Sequence, residues 1–151
     1  MKNFSIHIIL FLFAWGVFTA SSSSSSVEWE ENIAVIISSS VDQDYISKEV
    51  LLNIYTLRVR NWDDGTRITV SDYRGNSDIR NEFYRYLGTQ VNTIKKVWLR
   101  AQFTGKITPP RTVDSVEEMI TLVLENPGTI GYVPIDQVPE NATILLTFSN
   151  D

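Results

Sequence analysis

The sequence predicts an α/β domain, a layered sheet with flanking helices, and three observations carry that expectation. Asn32-Ile33-Ala34-Val35-Ile36-Ile37 is a continuous β-branched apolar run, the pattern of a strand covered on both faces. Val50, Leu51, Ile54, Tyr55 and Leu57 then fall at helical spacing behind Ser47, a residue suited to cap a helix. Further strand-like and helix-like segments alternate to the end without an internal repeat, which is the order of a layered α/β fold.

The remaining elements follow in chain order. Ser38 to Asp44 is polar and reads as a loop, Asp63-Asp64-Gly65 as a turn, and Arg67 to Val70 as a short strand. Asn76 or Ser77 caps a helix with Ile79, Phe83, Tyr84 and Leu87 on one side, and Gly88 closes it. Val91, Ile94, Val97, Trp98 and Ala101 share the face of a further helix, with Phe103 expected beside Trp98 in the core. Pro109-Pro110 stops any helix and forces an extended connection. Ser115 with Glu118 forms a capping box ahead of Met119, Ile120, Leu122 and Val123. Pro127-Gly128 ends that helix, Thr129 to Val133 is strand-like, and Ala142 to Phe148 is a last strand. Gly131 inside a strand marks a close backbone approach.

The start of the chain reads as a secretory signal rather than as part of the fold. Lys2 is followed by the apolar stretch Phe4 to Phe18, then by Thr19, Ala20 and the serine run Ser21 to Ser26. The apolar stretch is shorter than the roughly 20 residues a membrane-spanning helix needs. The expected division is a signal peptide at 1–22, a Ser-rich and acidic linker at 23–31, and one domain at 32–151. No cysteine stands where a lipoprotein would need one, so the expected location is the periplasm or the exterior.

Composition removes several functions. The one histidine, His7, lies in the leader and there is no cysteine, so the domain has no imidazole or thiolate for a metal, a nucleophile or a disulfide. Catalysis would fall to Asp, Glu, Ser and Lys, and no two carboxylates are spaced as a shared site, so the domain is read as no enzyme and asks for no cofactor. Net charge is −5, which argues against nucleic acid as a partner. The charge is uneven: Arg85, Lys95, Lys96, Arg100, Lys106 and Arg111 crowd the stretch from Phe83 to Val113, which holds no acidic residue. That stretch is either a solvated helix face or a positive rim that draws small anions.

Arg74-Gly75-Asn76-Ser77-Asp78 is the candidate site. A strand ending near Asp72, a glycine that permits an unusual turn and a Ser/Asn pair opening a helix present free backbone N–H groups and the positive end of the helix dipole. Ser77 would add a hydroxyl and Arg74 a charged fork. The alternative is a plain capped helix whose dipole Asp78 already satisfies.

Trp62-Asp63-Asp64-Gly65-Thr66, Arg74-Gly75-Asn76-Ser77, Trp98-Leu99-Arg100, Phe103-Thr104-Gly105 and Asn126-Pro127-Gly128-Thr129-Ile130-Gly131-Tyr132 occur in an order and over a distance that resemble one lobe of a known family. The family is the periplasmic phosphate ABC-transporter substrate-binding proteins (type II), and the resemblance is to their second lobe, over Asn32 to Pro134. It implies a mixed sheet and phosphate or another small oxyanion as ligand. It also implies an association with a membrane transporter or sensor protein; no oligomeric state can be read. In that family an Arg followed by a Gly/Ser/Thr-rich turn occupies the strand-to-helix junction. Single-lobe relatives usually carry Gly-Ser before the helix, where this chain has Asn76-Ser77. The second reading is an exported interaction module that kept the fold and gave up the ligand.

Overall fold

The computed structural model describes residues 32–105 and 109–149. The expected signal peptide, the linker and Lys106 lie outside the described residues. Five strands, β1 (Ile33–Ser38), β2 (Thr69–Tyr73), β3 (Arg111–Val113), β4 (Thr129–Pro134) and β5 (Ala142–Phe148), form one sheet in the order β3-β2-β4-β1-β5. The helices are α1 (Lys48–Tyr55), α2 (Asp78–Tyr86), α3 (Val91–Phe103) and α4 (Val116–Glu125). The sheet is mixed: β2 runs parallel to β3 and β4, and β1 runs antiparallel to β4 and β5.

Every residue of β1 is buried, as its unbroken apolar run requires, because strands flank it on both sides and helices cover the sheet. The alternation of β4 assigns the helices to faces. Gly131 faces α4, where a Cβ would sit 2.6 Å from Met119 Sδ and 2.9 Å from Val123 Cγ2; only glycine lets that helix approach so closely. Tyr132 faces the other layer, where its ring stacks on Phe83 of α2 at 3.8 Å and lies 6.2 Å from Tyr55 of α1. Trp98 of α3 ties that layer together by donating to the Tyr55 carbonyl at 2.7 Å.

Three local expectations are corrected and a fourth is sharpened. Phe103 is 82% exposed rather than packed beside Trp98, since the last turn of α3 runs clear of the core that Ile94 and Trp98 fill. Val50 likewise faces outward while Leu51, Ile54 and Tyr55 are buried. The strand expected at Arg67 to Val70 starts at Thr69 and runs on to Tyr73; Arg67 instead bridges Asn61 in a small hairpin around the Asp63-Asp64-Gly65 turn. After Pro109-Pro110 the extended connection becomes a strand, because Arg111 to Val113 finds a parallel partner in Ser71 to Tyr73. The capping box at α4 forms with one change: Ser115 Oγ accepts from the Glu118 N–H at 3.1 Å, and the Glu118 carboxylate reaches back to the N–H of Asp114 rather than of Ser115.

Candidate functional site

β2, one strand in from the sheet's edge, ends at Tyr73 and α2 begins at Asp78, so Arg74 to Ser77 turn the chain at the carboxyl end of parallel strands. In open α/β sheets ligands collect at such ends. Gly75 makes the turn with φ of +77°, a conformation that favours glycine. Arg74 is pinned to the neighbouring strand by its N–H, which donates to the Val113 carbonyl at 2.7 Å.

The two arginines of this turn have different partners. Arg74 sends its guanidinium to Asp114 Oδ2 at 2.9 Å, and both side chains are exposed. Arg80 is buried: one nitrogen pairs with Asp72 and another donates to the Gly75 carbonyl, which fixes the turn from inside. Asp72 takes a further hydrogen bond from the Tyr132 hydroxyl at 2.7 Å. Burial pushes the Asp72 carboxyl above the ordinary carboxylate range, and the Tyr132 bond and the Arg80 charge pull against that rise. Sequence reading missed this trio as a unit. The available signal was an aspartate in a strand that is otherwise buried, a position that needs a charged partner.

Ser77 occupies the cap position of α2 with extended backbone, yet its side chain makes no capping hydrogen bond. Its hydroxyl oxygen is buried and has no partner among the described residues. The other two serine-headed helices behave differently: Ser47 Oγ accepts from Val50 at 3.3 Å and Ser115 Oγ from Glu118 at 3.1 Å. The first turn of α2 therefore offers N–H groups that no serine oxygen takes up. Asp78 stands exposed in that turn. Gly75 and Asn76 open onto a groove of about 820 Å³ between α2 and the start of α3, whose lining includes Arg85 of α2 and Lys95 of α3. The structure thus brings all five predicted residues to one turn, with Arg74 already engaged by Asp114. Among the described residues no group of three His, Cys, Asp or Glu is placed to hold a metal ion, and no helix is long and apolar enough to cross a membrane.

Solved structures share this fold. A Clostridium perfringens protein described as a phosphate ABC transporter substrate-binding protein, solved with bound phosphate, superposes with a TM-score of 0.64 at 19% identity. It is matched over 76% of this chain and 44% of its own length. The chain has the fold of one substrate-binding-protein lobe. An ABC-type phosphate transport receptor from Vibrio cholerae gives a TM-score of 0.60, again at 19% identity, over 76% of this chain and 45% of its own. The chain thus spans less than half the length of either binding protein, which is the extent of a single-lobe relative. No protein-family model and no curated protein matches the sequence.

Proposed function

We propose that this is an exported, substrate-binding-protein-like lobe that holds phosphate or a related small oxyanion weakly at the start of α2. The observation that carries the reading is the uncapped head of α2, where the Ser77 hydroxyl and the first-turn N–H groups are left free in a fold shared with phosphate-binding proteins. A helix start of this kind favours a tetrahedral anion through its N–H groups and its dipole. Binding is weak for two reasons. A ligand on one lobe stays open to solvent, where each charge interaction is small, and Asp78 competes for the helix dipole. The expected dissociation constant is in the high-micromolar to millimolar range, a binding free energy of about 4 to 6 kcal/mol. Titration calorimetry with phosphate tests this; sub-micromolar affinity in the monomer would contradict the one-lobe argument.

A second reading has its own observation. The Asp114 carboxylate neutralises Arg74, the one charged fork the turn could offer an anion. A lobe that had given up its ligand would look so, and would serve a membrane transporter or sensor protein as an interaction module. Ser77→Ala combined with Arg74→Ala separates the two: it abolishes any phosphate-dependent stabilisation under the first reading and changes nothing under the second.

A further inference from the structure

A second positive site lies at the other end of β2 and owes nothing to the α2 turn. Arg60 and Arg67 stand on the two legs of the hairpin closed by the Asn61–Arg67 bridge and by the Ile68 N–H on the Arg60 carbonyl at 2.8 Å. The hairpin is held rigidly. Trp62 at its base is buried and donates to the Gly128 carbonyl at 3.2 Å, while Asp64 and Gly65 form its tip, with Asp64 Oδ1 accepting from Thr66 at 2.7 Å. Facing it, Arg111 opens β3 directly after Pro109-Pro110. These three arginines surround a pocket of about 180 Å³ whose other walls include Leu57, Ile68 and the two prolines.

Three features decide what fits there. No carboxylate lines the pocket, and none of the three guanidiniums makes an ion pair among the described residues, in a chain of net charge −5. Guanidinium forks of this kind match carboxylates in a bidentate manner. The volume is that of about six water molecules, below the roughly 300 Å³ at which small-molecule sites begin. That volume has room for one apolar side chain, and whatever bore it would lie outside, across the arginines. An apolar anchor in a small pocket under a charged rim is the arrangement of a peptide-docking site.

We propose that this pocket docks an acidic peptide segment of a partner protein, with one apolar side chain in the pocket and carboxylates on Arg60, Arg67 and Arg111. Arg60 and Arg67 lie beyond the start of β2, about 16 Å along the strand from Arg74, and Arg111 sits opposite Ser71, about 10 Å from it, so the site stands or falls separately from oxyanion binding at α2. The direct test is fluorescence anisotropy with a short fluorescein-labelled polyglutamate peptide carrying a single central leucine. The expected result is saturable binding that weakens as salt rises and falls roughly tenfold or more in an Arg60→Glu/Arg67→Glu/Arg111→Glu variant, with Ser77→Ala unchanged. Arg60→Glu alone, at an exposed side chain, gives a partial loss and serves should the triple variant unfold. Four outcomes overturn the proposal. The peptide fails to bind, or binds the arginine variants equally well; plain polyglutamate binds as tightly as the leucine peptide, leaving only a diffuse positive surface; or pyrophosphate displaces the peptide at equal concentration, making this a small-anion site.

Discussion

Arg74 and Arg80 flank the same turn and each faces an aspartate, but water reaches one pair and not the other. The Arg74–Asp114 side chains are 62% and 61% exposed, those of Arg80–Asp72 only 3% and 0%. An exposed pair contributes between zero and about 1 kcal/mol, because solvent screens it and two long side chains must be ordered to make it. A buried pair has lost its hydration and depends on full satisfaction, which Tyr132 and the Gly75 carbonyl help to supply. The difference separates shape from recognition. Arg80 builds the turn and is closed to any ligand, whereas Arg74 can exchange Asp114 for an anion at little cost.

Alkaline pH should break the buried half altogether. Burial raises the hydroxyls of Tyr55, Tyr84 and Tyr132 well above their ordinary value of about 10, and the Asp72 charge adds to the rise. The unfolded chain therefore loses those protons first. Their contribution to stability is complete below about pH 10 and disappears as pH climbs toward the raised folded values. We predict cooperative unfolding on alkaline titration, followed by tyrosinate absorbance at 295 nm; all six tyrosines ionising with a midpoint near pH 10 while the circular dichroism stays native would contradict it.

Smaller effects come from single side chains. Asp72→Ala leaves the Arg80 guanidinium buried without its countercharge and should cost about 3–5 kcal/mol in urea unfolding. A loss below 1 kcal/mol would mean that water reaches the pair. Gly131→Ala places a methyl group against Met119 and Val123 and should cost about 1–3 kcal/mol; unchanged stability would mean that α4 shifts freely. Arg74→Ala, at the exposed end of the comparison, should change stability by no more than about 1 kcal/mol. A larger loss would make the Asp114 contact part of the framework rather than an exchangeable one.

What could be read in advance divides along the same line. The unbroken run of β1, the Ser115–Glu118 cap and the glycine at 131 are local patterns, and each appears in the structure where the residues placed it. The turn at Arg74 to Asp78 was legible too, since a glycine and a serine ahead of an amphipathic segment write their own geometry. The Asp72–Arg80–Tyr132 trio was not, because it joins residues 60 positions apart through a strand order that periodicity does not encode. β3 was missed because three residues make a strand only through their partner. Phe103 shows the converse error. Helical spacing put it on a core face, but whether a helix end still lies over the core depends on where the helix crosses the sheet.

The head of α2 is the point on which the functional account turns, and the thermal midpoint of the protein in millimolar phosphate tests it most directly, with sulfate and chloride as controls and Ser77→Ala alongside. The account predicts a phosphate-selective rise, equivalent to about 1 kcal/mol when ligand is several times its dissociation constant, and no rise in Ser77→Ala. An unchanged midpoint in a protein that unfolds cooperatively, or an equal rise in the serine variant, would contradict it and leave the fold of a binding-protein lobe without an oxyanion at this turn.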